Sequence, residues 1–389
     1  MEWKPLWHYR VINFGEEIGT LKGVIQYMRV QAGIDGTAIR VKLDNRFNRG
    51  RMVVSSVAFS VLSGEGKVMD TGEMTVGGTA GAILEPDETV FTDAAPVTVT
   101  VGQSVEISMC IEQAEGITGI CQTWSSRVWG SWFTKKSSLG NKLGCTDFFP
   151  VLAEDVHKPW SVVGISQIDM LAEKDILTIS LFGDSITHMS YYSDALFERL
   201  LKEFPGRAVI ANCGIGGNRL CFDHVLVPDS HGNGCRFGPA GKKRFENDVY
   251  SDMEPDIVLA LLGTNDCNLG LAYGYEDEFP TVQRYADDYS GVIKVAHLKA
   301  SKIYIGTIPP FNTPDWDTFH ESAEARRLEL NAWIRSQDIS DGVIDFDAVA
   351  EDSAKKGVLQ ENFDVGDRLH PGTEGGRMMA AIVPLCEFF

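Results

Sequence analysis

Four short segments in the second half of the chain carry serine, histidine, carboxylate, glycine and amide groups in an order suited to nucleophilic catalysis. The first is Gly183-Asp184-Ser185-Ile186-Thr187. An apolar run leads straight into it and a helical pattern follows, so Ser185 falls on a strand-to-helix turn. Its hydroxyl is exposed there, and backbone N–H groups face any oxyanion formed beside it. Taken alone, Ser185 or Asp184 is equally well an N-cap, because both types are favoured caps. The second segment is Asn212-Cys213-Gly214-Ile215-Gly216-Gly217-Asn218-Arg219. Glycine after a strand lets the backbone approach a ligand, which makes the Gly214 N–H a candidate oxyanion donor. The G-x-G-x-x-G spacing of dinucleotide binding is missing from it. The third, Gly263-Thr264-Asn265-Asp266, offers the Asn265 amide as a further donor, although Asn and Asp are also ordinary turn residues. In the fourth, Asp367-Arg368-Leu369-His370, the spacing lets the carboxylate reach the imidazole. The bland alternative is a surface acid beside a capping histidine.

These segments need strand ends to hold them, and the pattern after Lys174 supplies such ends. Short, almost wholly apolar runs at 176–182, 208–211, 257–262, 303–307 and 343–346 read as strands of a parallel sheet covered on both faces. Helical patterns lie near 191–203, 242–250, 280–300, 319–336 and 373–385, the third with Val282, Tyr285, Tyr289, Val292, Ile293 and Ala296 on one stripe. This predicts an α/β domain over 173–389 with a doubly wound, five-stranded parallel sheet, whose ligands bind outside the carboxyl ends of the strands.

The first half has a different period. Ile39, Val41 and Leu43, then Val53, Val57, Phe59 and Val61, then Val97, Val99 and Val101, then Val105, Ile107, Met109 and Ile111 fall largely on alternate positions. Turn-rich stretches such as Ser63-Gly64-Glu65-Gly66 separate them. Half-buried antiparallel strands follow from this, and with no clear helix before about residue 170, residues 1–172 are expected to form an all-β sandwich or jelly roll.

On its four segments the second half resembles the SGNH, or GDSL-type, hydrolases, whose fold is flavodoxin-like. The resemblance covers Lys174 to the C-terminus. It implies an esterase in which Ser185 is the nucleophile, His370 the general base and Asp367 the residue that orients the histidine. The Ser185 N–H, Gly214 and Asn265 would form the oxyanion hole, with no metal or organic cofactor. The first half, through Ile39-Arg40-Val41-Lys42-Leu43-Asp44-Asn45-Arg46-Phe47 and residues 74–111, is similar to the β domain preceding the hydrolase in a bacterial subgroup of carbohydrate-type esterases. That second likeness implies short acyl esters as substrates, such as O-acetyl groups on xylan or mannan fragments. A lipid-directed esterase or lysophospholipase is the alternative enzyme, and an inactive glycan-binding protein the alternative of another class. Thr187-His188-Met189 departs from the family pattern, where an acidic residue and glycine are expected.

Bulk properties agree with a globular enzyme. The 389 residues suit two domains of ordinary size, and 44% hydrophobic with 23% charged residues is globular composition. A formal charge of -19 repels phosphate backbones and anionic lipid surfaces, which disfavours nucleic acid and membrane as partners and leaves small esters and acetylated oligosaccharides. The eight cysteines include no C-x-x-C pair, and the N-terminus shows no signal-like segment, from which a cytoplasmic location is expected. Cys221, His224, His231 and Cys235 lack the usual zinc spacing. His188 and His320 read as structural histidines, and Trp124, Trp129 and Trp132 as interdomain core in preference to a sugar platform.

Overall fold

The computed structural model describes residues 1–125, 128–135, 142–143, 160–227, 231–311 and 321–389. The chain divides into two compact units, one of Met1–Ile176 with Leu200–Ala211 and the other of Leu177–Arg199 with Asn212–Phe389.

The first unit is rich in strands. In one sheet Glu2–His8, Ile165–Ala172, Gly36–Asp44 and Ala95–Val99 lie side by side in antiparallel pairs. In a second, Gly19–Gln31 and Met52–Leu62 flank Ser104–Ile117, again antiparallel. Where the sequence alternates, burial alternates with it: Val105, Ile107, Met109 and Ile111 are fully buried. Three strands lacked that signal, each for a physical reason. In Gly19–Gln31 the left-handed Gly23 (φ 61°) shifts the phase, so that Leu21 is followed inward by Val24, and the polar Gln26 is buried where it donates to the Val163 carbonyl. Glu2–His8 and Ile165–Ala172 bury polar residues beside apolar ones, among them Lys4, His8, Gln167 and Asp169, which erases the period of two. Trp129 is a core residue of this unit, edge-on to Trp7 and Tyr9. Trp132, half-buried, stacks on Tyr27 beneath Arg29.

The second unit is built around a five-stranded sheet with helices between its strands. The strands of this sheet are β1 (Leu177–Gly183), β2 (Ala208–Gly214, whose first four residues fall in the first unit), β3 (Ile257–Leu261), β4 (Lys302–Gly306) and β5 (Gly342–Ile344). They lie in the order β2-β1-β3-β4-β5, and β1, β3, β4 and β5 pair in parallel register. The order reverses between β1 and β3, and a doubly wound sheet opens its ligand crevice at such a point. The helices are α1 (Ser185–His188), α2 (Tyr191–Glu203), α3 (Gly241–Tyr250), α4 (Thr264–Ala272), α5 (Val282–Leu298), α6 (Glu321–Ser336), α7 (Phe346–Ala350) and α8 (Thr373–Ala381). The apolar stripe of α5, with Tyr285, Tyr289, Val292, Ile293 and Ala296, packs with Val258, Ala260, Ile303 and Ile305 of the sheet and Leu330 and Ile334 of α6. Helix α4 is an addition to the sequence reading: the residues taken for a turn after β3 are already its first turn, entered through Gly263 at φ 136°.

Candidate active site

Ser185 opens α1, a single helical turn immediately beyond β1. Asp184 caps that turn, its Oδ1 accepting from the Ile186 N–H at 3.0 Å. Gly183, Asp184, Ile186, Thr187 and His188 are buried and only Ser185 is partly open, so the turn presents one side chain outward. His370 Nε2 lies 2.7 Å from Ser185 Oγ. His370 Nδ1 lies 2.6 Å from Asp367 Oδ2. The structure thus joins three side chains from opposite ends of the unit into one hydrogen-bonded row.

The loop before α8 is built to hold this row. Asp367 Oδ1 accepts from the Leu369 and His370 N–H groups at 3.0 and 2.9 Å, leaving Oδ2 for the imidazole. Asp364 Oδ1 in turn accepts from the N–H groups of Gly366, Asp367 and Arg368, and the Val365 N–H donates to the His370 carbonyl. Arg368 takes a left-handed conformation (φ 60°) that turns the chain between acid and base. Burial alone would raise the Asp367 carboxyl, but the hydrogen bond and charge of His370 and the two backbone N–H groups outweigh it and hold the group below its ordinary value. Asp367 is therefore an anion throughout the neutral range.

The oxyanion side differs from expectation at one residue. Strand β2 continues to Gly214, three residues beyond the expected end at 211, so Gly214 still belongs to the strand. Its N–H is occupied, donating to Asn212 Oδ1 at 3.0 Å. The glycine is needed there for packing, since a Cβ would lie 2.5 Å from the backbone nitrogen of His188. The turn beside the nucleophile comes later: a Cβ on Gly216 would lie 3.9 Å from Ser185 Cβ. Among the described residues the N–H of the left-handed Gly217 (φ 74°) has no acceptor. Asn265, buried at the start of α4, donates one amide hydrogen to the Asn218 carbonyl at 3.0 Å, and its amide carries a second.

Several residues that the sequence did not single out hold this arrangement. Arg244 of α3 donates to the carbonyls of Gly183 (2.8 Å) and Cys213 (2.9 Å) and to Asn218 Oδ1 (2.8 Å), tying the ends of β1 and β2 to the glycine loop. Its charge is balanced by Asp248 at 2.8 Å, both side chains being almost fully buried. Asp266 accepts from the Leu220 and Cys221 N–H groups at 2.7 and 2.8 Å. Asn212 Nδ2 donates to the Thr187 carbonyl at 2.8 Å and so fastens α1. His188, read as structural, is buried and accepts from the Gly216 N–H at 3.1 Å. Arg244 gave no signal because its partners are carbonyls up to 61 residues away. Of the zinc alternative, the side chain of His231 lies outside the described residues, as does His320. Among the described residues no group of three or more His, Cys, Asp or Glu side chains could hold a metal ion.

Asp184 carries a pH dependence of its own. Its Oδ2 is buried and has no hydrogen-bond partner among the described residues. Burial pushes the carboxyl up to about 7 from 3.8; the Ile186 N–H and the charges of His370 and Arg244 oppose the rise, and Asp266 adds to it. The folded protein therefore keeps a proton that the unfolded chain has lost, and its stability declines as pH rises across that window. Asp184→Asn retains the cap and has no proton to lose. Its stability relative to wild type should grow by roughly 2–4 kcal/mol between about pH 4 and pH 7 in urea unfolding. A difference that stays constant with pH would mean that Asp184 ionises normally in the fold.

Residues 181–378 match the model of the GDSL-like lipase/acylhydrolase family, and the chain belongs to that family. It is accordingly a GDSL-type esterase, a hydrolase of ester bonds. Among solved structures, an acetyl xylan esterase from Geobacillus stearothermophilus is similar at 18% identity, covering 54% of this chain and 94% of that one, with a TM-score of 0.40. An alpha/beta hydrolase from the metagenome of Lake Arreo matches at 19% identity over 52% and 91%, TM-score 0.39. A GDSL-like lipase from Bacteroides thetaiotaomicron matches at 18% over 54% and 86%, TM-score 0.38. No curated protein matches the chain.

Proposed function

We propose that the protein hydrolyses short-chain esters, acetyl groups on oligosaccharides foremost, by a serine acyl-enzyme mechanism. The continuous row from Ser185 Oγ through the His370 ring to Asp367 Oδ2, at 2.7 and 2.6 Å, carries this reading. As Ser185 attacks the ester carbonyl, His370 Nε2 takes the hydroxyl proton and then hands it to the departing alcohol. Water enters, loses its proton to the same nitrogen, and attacks the acyl-serine, and the serine recovers the proton as the acid leaves. Asp367 fixes the tautomer with Nδ1–H toward itself and stabilises the imidazolium. The Ser185 and Gly217 N–H groups and the Asn265 amide donate to the oxyanion.

The finer reading, acetyl groups on neutral glycans, is supported by the carbohydrate-esterase-like first half and by the charge of -19, which disfavours an anionic lipid interface. It predicts acetate release from acetylated xylan or mannan fragments and faster turnover of acetyl than of octanoyl esters. Preference for the octanoyl ester would favour a lipid-directed esterase instead. Asn265→Ala should lower kcat by about 100- to 1,000-fold and leave measurable activity, since two backbone donors remain. Full activity in this variant would remove Asn265 from the oxyanion hole.

A further inference from the structure

His188 stands where the chain departs from its family pattern. It closes α1 three residues after Ser185, and the residue is 3% exposed. Because Nδ1 accepts the Gly216 N–H at 3.1 Å, that nitrogen must present a lone pair, and the neutral ring carries its proton on Nε2. Gly216 lies between imidazole and nucleophile: a Cβ placed there would be 3.2 Å from His188 Nδ1 and 3.9 Å from Ser185 Cβ. One side chain thus connects the turn that carries the nucleophile to the loop beside it.

That loop needs such a connection. Arg244 holds its two ends at the Cys213 carbonyl and Asn218 Oδ1, the Ile215 N–H is fixed on the Gly183 carbonyl, and the Asn218 N–H returns to the Ile215 carbonyl. Between these anchors lie two adjacent glycines, the least restrained backbone available. The Gly216 N–H is held by His188, and the Gly217 N–H has no acceptor among the described residues. An oxyanion donor acts only if it is aimed before the charge forms, and a misplacement of about 1 Å can cost about 100-fold in rate.

We propose that His188 is a positioning residue for the oxyanion hole, its Nδ1 lone pair fixing the Gly216 amide so that the Gly217 N–H points at the acyl oxygen. This rests on the serine-esterase reading above. His188 touches no reacting atom, and its contribution is confined to the transition state.

The test uses the full chain and 4-nitrophenyl acetate, with His188→Leu, His188→Asn, His188→Gln and Ser185→Ala compared. Leucine fills the space without an acceptor, whereas the Asn carbonyl reaches the Nδ1 position and the Gln carbonyl does not. His188→Leu should lose about 10- to 100-fold in kcat with KM within about two-fold, and phosphonylation of Ser185 by a fluorophosphonate should slow in parallel, because its P–O group needs the same donors. His188→Asn should recover kcat to within about three-fold of wild type. If the leucine variant does not fold, the Asn and Gln pair decides, both being polar and only Asn expected to be active. Wild-type kcat in His188→Leu beside an inactive Ser185→Ala would overturn this proposal alone. So would equal losses in the Asn and Gln variants, or a change confined to KM. A fully active Ser185→Ala variant would overturn the serine reading, and this one with it.

Discussion

Ser185→Ala is expected to lower kcat for a small acetyl ester by a factor on the order of 10⁴ or more, because the base and the carboxylate have nothing to act on without the nucleophile. A residual rate above that of water should persist, since the oxyanion donors remain in place. The loss should be chemical and not structural. Ser185 is only half-buried, and its hydroxyl makes one described hydrogen bond, to His370 Nε2. Its backbone N–H, and the cap in which Asp184 Oδ1 accepts from the Ile186 N–H, do not involve the Ser185 side chain, so alanine keeps both. The melting temperature should stay within a few degrees of wild type, as is usual for a partly exposed position. Mass spectrometry of the intact protein after fluorophosphonate treatment gives the second readout. Wild type should gain one adduct at Ser185 and the alanine variant none. Equal hydrolysis by both proteins would mean that the ester is cleaved elsewhere, and an adduct on the variant would identify where.

What could be read in the sequence, and what could not, follows from how each residue works. Ser185, Asp367 and His370 act through their own side-chain chemistry, and each sits in a short motif beside an apolar strand or helix pattern. Residue type and local period were enough to single them out. The oxyanion loop depended on where a strand stops. The apolar run ends at Ala211, but pairing carries β2 on to Gly214, and this displacement of three residues assigned a donor role to an N–H that Asn212 already occupies. Arg244, Asn212 and Asp364 act by gripping backbone carbonyls and amides of other segments, and no spacing in the chain announces such contacts. The same logic covers the fold. The alternating strand Ser104–Ile117 was legible, whereas Ile165–Ala172 was not, because its buried Ser166, Gln167 and Asp169 look like surface residues until their partners are known.

Asp367→Asn should lower kcat by about 10⁴ while leaving the local structure in place, which separates orientation of the base from assembly of the loop. The Asn carbonyl oxygen can still accept from the Leu369 and His370 N–H groups, as Asp367 Oδ1 does. Asp364 continues to hold the Gly366, Asp367 and Arg368 amides. What changes is the atom 2.6 Å from His370 Nδ1: a carboxylate oxygen becomes an NH₂ group. Two N–H groups cannot face each other, so the neutral imidazole must carry its proton on Nε2 and turn a donor, not a lone pair, toward Ser185. The variant also loses the anion that favours the imidazolium formed during proton transfer. Because the Asp367 carboxyl is held below its ordinary value, wild type keeps that anion as pH falls until the folded-state value is passed. The loss in the variant should therefore be present throughout the neutral range and should not be rescued by raising the pH moderately. Nitrogen-15 NMR of the histidine ring can read the tautomer directly, with Nδ1–H expected in wild type and Nε2–H in Asp367→Asn. Wild-type turnover with an unchanged tautomer would show that Asp367 does not orient the base, and that the contact at 2.6 Å serves only the loop.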